Sequence, residues 1–453
     1  MPSPPNMRYV ARLVDLVDDA SQDLDELSLA EARRRILSDE PEAVASIGGS
    51  FALTARRDEV VRLARSLDRP LRYFLAKEAD GPMLIVAERI SEIAAELERR
   101  GYADQFHPSY TRMVPAHHVT TLRLIGCPDP NPRYRRFLAP PMGTLGRSPA
   151  SIGEHYVGAL YREVATWLDR QDRNEPIGVA FSGGIDSGAV LLCLYRRLLE
   201  TGQSPARLKA FTLTVDGAGA DAAQARSFLR RLDLEMLGEE VDVTASELDP
   251  LAAVELIEDY KARDVECATV NLALLAAVRG RYPEWRLMAD GDGGDENLKD
   301  YPIEENPELT IRSVVNNPML YPEGWGVGSI KHSLVYSGGY SRGCVRTWAP
   351  ARRLGFVGFS PFTRPAVVAA AEAIPFRELA RGSHERLYGL KGAVVSAGVE
   401  AVTGLTMPIH EKRRFQEGAL SDRLFGDLFA GGEARYREHF QRLYGRDRDL
   451  PGA

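Results

Sequence analysis

The sequence predicts an α/β fold, a parallel sheet with helices on both faces and a helical C-terminal part, preceded by a smaller α+β domain. Two observations carry that prediction. From about residue 151 onward short apolar runs alternate with helical segments, the pattern of a parallel sheet built from βα units. Three of those runs end in small or acidic residues: Ser182-Gly183-Gly184-Ile185-Asp186-Ser187, Val215-Asp216-Gly217 and Asp290-Gly291-Asp292-Gly293-Gly294-Asp295-Glu296. In an open parallel sheet, ligands bind at the carboxyl ends of the strands.

At 453 residues the chain is long enough for two or three domains. Residues 1–131 read as the α+β domain and 151–453 as the α/β domain. Residues 132–150, inside the Pro-, Gly- and Arg-rich run Asn131–Ala150, read as a linker. A composition of 44% hydrophobic and 27% charged residues allows a sizeable soluble core. A net charge of -7 gives no global attraction for nucleic acid or an anionic membrane, so any anion site must be local. No apolar stretch reaches the length of a membrane span, and the N-terminus lacks the basic-then-apolar layout of a signal peptide. The expectation is cytoplasmic residence, with neither nucleic acid nor membrane as partner. The four cysteines, Cys127, Cys193, Cys267 and Cys344, form no C-x-x-C pair, which argues against a disulfide scaffold or a zinc ribbon. The eight histidines show no metal-ligand spacing either.

In chain order, Asp23–Leu37 has the acidic start and basic end of a dipole-complemented helix. Strands are expected at Gly49–Thr54, Leu71–Leu75 and Met83–Ala87, with a helix over Ser91–Arg100. In the second domain a helix over His155–Arg170 leads into a strand at Ile177–Phe181 and a helix over Ala189–Leu199. A strand at Leu208–Val215, a helix at Ala222–Leu232 and a strand at Glu240–Val243 follow. A long helical region within Pro250–Arg279 then precedes a strand at Trp285–Ala289. Pro302–Gly355, rich in Gly, Pro, Trp and Tyr, reads as irregular, lid-like structure before helices at Pro365–Ile374 and Ser383–Val402.

The stretch Ser182–Ser187 is the most informative. A strand, a loop of small residues and a helix N-terminus together bind phosphate, because the backbone can approach while N–H groups and the helix dipole face the anion. This is not a Walker loop, since that spacing is absent and the loop holds no lysine. Asp186 would repel a phosphate unless a divalent cation lay between them, which suggests Mg2+. The acidic stretch points the same way: four carboxylates among three glycines are costly to hold together without a cation. The basic cluster His410–Gly418 would, on charge alone, be a solvated face.

These residues resemble a known family. Ser182–Ser187 resembles the pyrophosphate loop (PP-loop) of the N-type ATP pyrophosphatases, whose domain is adenine nucleotide α-hydrolase-like. Gly291–Glu296 followed by Tyr301 resembles the G-D-G-x-D-E…Y stretch of asparagine synthetases. Ser360-Pro361-Phe362 is similar to the family's R-x-P-F-L-D segment, Lys391 to the lysine of its K-x-x-L-R helix, and Lys412–Gly418 to R-x-K-x-x-F-x-x-G. The resemblance covers about residues 150–420. It implies ATP and Mg2+ as cofactors. Ser182, Gly183, Gly184, Ile185, Asp186 and Ser187, with Gly291, Asp292 and Gly293, would hold ATP and its pyrophosphate. Asp186 and Asp295 would bind Mg2+, and Val215 would lie against the adenine. Lys412 and Lys391 would be catalytic, Lys412 stabilising charge as an acyl-adenylate forms and collapses, which overrides the reading from charge alone.

More faintly, Gly49–Ala52, Arg65-Ser66, Arg69–Tyr73 and Ala87–Ile90 resemble later strands of the family's N-terminal Ntn glutaminase domain, and Val114–His117 its closing turn. That domain works through a cysteine exposed at the N-terminus, whereas residue 2 here is Pro and Met7 precedes Arg8. Its N-G-E glutamine loop is missing too. The implied domain is a truncated, degenerate glutaminase-like one unable to hydrolyse glutamine, as in β-lactam synthetases.

Two departures bear on the substrate. Val357-Gly358-Phe359 stands where the family has Glu-Ala-Arg, removing the glutamate of the β-lactam synthetase-like proton-handling pair. Arg346-Thr347-Trp348-Ala349 replaces an Arg-Asp-x-Arg run, and Trp348 and Phe359 suggest an acceptor pocket less polar than aspartate needs. The expectation is an AMP-forming carbon–nitrogen ligase joining a small-molecule or peptide carboxylate, other than aspartate, to an amine or ammonia. Specialised metabolism or peptide modification would be its setting. A carrier, a separate glutaminase and a second copy of the chain are further candidate partners. Two alternatives stay open: a PP-loop sulfur-insertion enzyme, which wants reactive cysteines and a basic surface, and a catalytically silent nucleotide-binding scaffold.

Overall fold

The computed structural model describes residues 12–77, 83–123, 132–300, 303, 310–317, 344–410 and 418–444. The chain divides into two compact units, one comprising Met1–Ala139, Gly328–Tyr340 and Phe440–Ala453, the other Pro140–Val327 and Ser341–His439.

In the larger unit lies a five-stranded sheet whose pairings are all parallel. Its strands, numbered along the chain, are β1 (Ile177–Ala180), β2 (Leu208–Val215), β3 (Gly238–Val243), β4 (Leu287–Ala289) and β5 (Val357–Phe359). Their spatial order is β3-β2-β1-β4-β5. The helices that carry the argument are α1 (Pro149–Asp169), α2 (Ile185–Glu200), α3 (Ala220–Arg230), α4 (Ala262–Arg281) and α5 (His384–Thr403). β2 is buried almost throughout, as a strand covered on both faces must be. The chain steps outward from β1 to β3 and then returns to β4 on the other side of β1. The carboxyl ends of β1 and β4 therefore flank a topological switch point, where such sheets bind ligands.

Several boundaries differ from expectation. α2 starts at Ile185 rather than Ala189, because Gly184, in extended backbone, caps it directly. Asp186 and Ser187 thus occupy its first turn. The Pro250–Arg279 region is two helices, Pro250–Ile257 and α4, since Glu258 turns left-handed at φ 53°. β5 has only three residues, too few to show a strand period. Within the expected linker, Arg133–Arg136 is a strand paired with His118–Arg123. The Gly143 and Leu145 N–H groups donate to the Glu372 and Ala373 carbonyls at 3.0 and 2.9 Å. Of the lid-like stretch, the described parts include short helical segments at Ile311–Asn316, Cys344–Trp348 and Ala349–Arg353; most of the rest lies outside the described residues.

The smaller unit contains two four-stranded sheets. One runs Arg12–Asp15, Met83–Ala87, Arg72–Ala76, Arg112–Met113; the other Arg133–Arg136, His118–Arg123, Val60–Arg65, Ala52–Arg57. Strand alternation divides its core. Leu84 and Val86 meet Val61, Leu63 and Leu122 between the sheets, while Met83, Ile85 and Ala87 meet Ile93 and Leu97 of the Ile90–Arg99 helix. Leu53 and Ala55 pack under Ala32 and Ile36 of a helix that begins at Leu29, not Asp23. The Ser28 hydroxyl caps it by accepting the Glu31 N–H at 3.2 Å, and Asp23–Leu24 pairs instead with Gly49–Ser50. Among the described residues no helix is long and apolar enough to cross a membrane.

Candidate nucleotide site at the switch point

β1 is fixed before the chain turns: the Phe181 N–H donates to the Phe211 carbonyl at 2.8 Å, and Thr212 Oγ1 to the Phe181 carbonyl at 2.7 Å. Gly183 then takes φ +73°, and a Cβ there would lie 2.7 Å from the Ala225 backbone nitrogen. Only glycine lets the loop lie this close to α3. The Gly184 N–H donates to Ser182 Oγ at 3.3 Å, and the Ser182 and Ser187 hydroxyls face each other at 3.4 Å. The 16-residue α2 begins here, so its N-terminal N–H groups and dipole present partial positive charge to the loop.

β4 delivers the acidic loop beside it. Asp290 is buried; it accepts the Asp292 N–H at 2.9 Å and the Ser360 hydroxyl at 2.9 Å. Asp292 accepts the Thr347 hydroxyl, and Glu296 accepts Arg346 Nη2 at 2.9 Å. Burial pushes the Asp292 carboxyl up to about 6, against the pull of Arg346 and Thr347. The crowding of four carboxylates is thus met largely by protein donors rather than requiring one shared cation. The glycines between them set how closely the loops approach. A Cβ on Gly291 would lie 2.7 Å from the Ser187 nitrogen, and one on Gly294 would collide with the Asp186 carboxylate.

Lys391, 3% exposed on α5, joins the two loops. Its Nζ donates to Asp186 Oδ2 at 2.6 Å, pairs with Asp295 Oδ1 and lies 3.6 Å from Asp300 Oδ2. Burial lowers its pKa, but the three carboxylates override that and hold it well above the usual lysine value. α5 reaches this position by crossing α1 at two glycines: a Cβ on Gly153 would lie 2.7 Å from the Gly398 nitrogen. Asn297 fastens the acidic loop to the same framework, donating to the Phe362 carbonyl at 2.8 Å and to Tyr156 Oη of α1 at 3.3 Å.

The other candidates fall elsewhere. Val215 is fully buried at the end of β2, below a turn held by Asp242, which accepts Thr214 Oγ1 at 2.7 Å and the Gly217 N–H at 2.9 Å. The Phe359 residue is 1% exposed, its ring stacked on Trp167 of α1 at 4.3 Å. Trp348 is half-buried, next to Thr347. Lys412 and Tyr301 lie outside the described residues. Sequence reasoning missed Asp300, Asn297 and the anchoring role of Ser360 and Thr347. None carries a local signal, because each acts across elements distant in the chain.

A family model described as asparagine synthase matches residues 159–334. No curated protein matches the chain. The matched span contains β1 to β4, and with them both loops that face each other at the switch point. Over that span the chain is similar to the asparagine synthase family, a family of ATP-dependent amide-forming ligases.

Proposed function

We propose that this chain adenylates a carboxylate with ATP and transfers the acyl group to an amine or ammonia. The observation that carries the reading is the meeting of Asp186, in the first turn of α2, with Asp295 of the facing loop at one buried lysine. The substrate carboxylate oxygen attacks the α-phosphorus, the α–β bond breaks and pyrophosphate leaves. The amine nitrogen then attacks the acyl carbon, gives up a proton to solvent and expels AMP. Backbone N–H groups and hydroxyls from Ser182 to Ser187 would hold the pyrophosphate, Gly291, Asp292 and Gly293 would border it, and Val215 would back the adenine. Lys412 and Lys391 would stabilise the developing negative charge.

Among the described residues no three His, Cys, Asp or Glu side chains form a ready metal cage. Mg2+ does not need one, since it takes one or two carboxylates and completes its shell with water and phosphate oxygens. Asp186 and Asp295, on opposing loops, fit that requirement, and the ion would neutralise charge on the leaving pyrophosphate. The carboxylate is not aspartate in this reading: Val357 replaces the family's glutamate, and Trp348 borders the segment that departs from the aspartate enzymes. Ammonia, if it is the nucleophile, would come from solution or a separate glutaminase. Among the described side chains nothing favours sulfur insertion: Cys193 and Cys267 are buried thiols, each pushed up to about 12 by burial.

ATP–pyrophosphate exchange over a panel of amino-acid, peptide and acyl carboxylates tests the proposal. The expected result is carboxylate- and Mg2+-dependent exchange that falls at least about 100-fold in Asp186→Asn and in Lys412→Ala, the scale of losing one charge-stabilising group. Exchange retained in either variant would remove that residue from the chemistry. Nucleotide binding without AMP formation across the whole panel would favour the silent scaffold.

A further inference from the structure

We infer that Asp300 is a positioning residue for Lys391, keeping its ammonium paired when Asp186 and Asp295 turn to a divalent cation. The inference rests on the nucleotide-site reading above and adds to it a residue that neither motif contains.

The Lys391 ammonium has three donors. Asp186 and Asp295 accept two of them, and Asp300 Oδ2 lies 3.6 Å from the nitrogen, at ion-pair rather than hydrogen-bond distance. These three carboxylates and one ammonium leave an excess of two negative charges, the amount one divalent cation neutralises. A cation bound through the other oxygens of Asp186 and Asp295 would draw their negative charge away from Lys391, which they meet through Oδ2 and Oδ1 respectively. A buried ammonium left beside a dication without a carboxylate of its own is strongly disfavoured.

Asp300 is built to stay where it is. Its N–H donates to the Asp295 carbonyl at 3.0 Å, tying both carboxylates into one turn. The preceding Lys299 is left-handed at φ 57°, which ends the short helix and directs the chain onward. The Lys299 side chain is fully buried and pairs with Glu372 Oε1 at 3.4 Å, anchoring the turn to the Pro365–Glu372 helix. Asp300 therefore faces Lys391 from a fixed backbone, whichever way Asp186 and Asp295 rotate.

The test is Mn2+ titration of the nucleotide-free full chain, followed by electron paramagnetic resonance, in wild type, Asp300→Asn, Lys391→Met and the double variant. Lys391→Met should bind Mn2+ more tightly than wild type, because a competing cation is gone. Asp300→Asn should weaken binding about tenfold in the wild-type background and less than about twofold in the Lys391→Met background, the coupling expected of neighbouring charges. Asp300→Glu, which keeps the carboxylate, should stay within about twofold of wild type. Equal weakening in both backgrounds would make Asp300 a ligand or a simple charge, and unchanged binding in the first background would leave it no role. Either result overturns the inference, as does an Asp300→Glu loss equal to that of Asn. Should Asp300→Asn fail to fold by thermal melting, Asp300→Ser takes its place in the same cycle. Wild type that binds no Mn2+ and shows no pyrophosphate exchange would bring down the nucleotide-site reading itself, and this inference with it.

Discussion

Asp292 shows what the acidic loop demands of a single residue. Its carboxyl is raised from 3.8 to about 6 by burial, while the Thr347 hydroxyl and Arg346 oppose the shift. A folded value above the unfolded one means that the folded chain holds the proton more tightly. The stability this contributes is complete below about pH 3.8 and disappears as the pH rises through about 6. Asparagine can still accept from Thr347 but cannot ionise. Asp292→Asn should therefore gain in stability relative to wild type between pH 4 and pH 7, measured by urea unfolding at both values; a constant difference would remove Asp292 as the titrating group.

Two of the three glycines of α5, Gly389 and Gly398, should respond to substitution with opposite signs. A Cβ on Gly389 meets nothing within 4 Å, so Gly389→Ala only removes the helix penalty of glycine and should stabilise by about 1 kcal/mol. Gly398 lies against the Gly153 backbone of α1, and a Cβ there collides with it. Gly398→Ala should cost about 1–3 kcal/mol through overpacking. Lys391 lies two helical turns before Gly398 on the same helix, so the displacement should also lower pyrophosphate exchange. Thermal unfolding and the exchange assay read the two effects separately. Loss of stability with full exchange would show that the crossing does not position the lysine.

For the whole molecule, nucleotide binding and stability are linked. The proposed ligands come from β1, β4, α2 and α5, elements that only the folded unit holds together. A ligand bound only to the folded state at 100 times its Kd stabilises by about 2.7 kcal/mol. ATP with Mg2+ should accordingly raise the melting temperature by several degrees, and EDTA should cancel most of the rise. An equal rise with EDTA present would mean that nucleotide is held without the Asp186–Asp295 pair.

The sequence by itself determined the class of the larger fold and the two loops that meet in it. Strand and helix periods are local, and glycine beside aspartate marks a tight turn wherever it falls. It also placed β2 at its observed bounds, since a stretch rich in apolar and β-branched residues ends at the turn residues Asp216-Gly217. It could not determine β5, which is three residues long, or the start of α2, where a glycine cap let the helix begin before its apolar stripe. Partnership was decided by the tertiary structure alone. Lys391 lies 205 residues from Asp186, Arg346 50 from Glu296 and Ser360 70 from Asp290. Separations of that size leave no periodic trace. They are set by the sheet order and by the α1–α5 crossing, where two glycine backbones bring the lysine to the carboxylates.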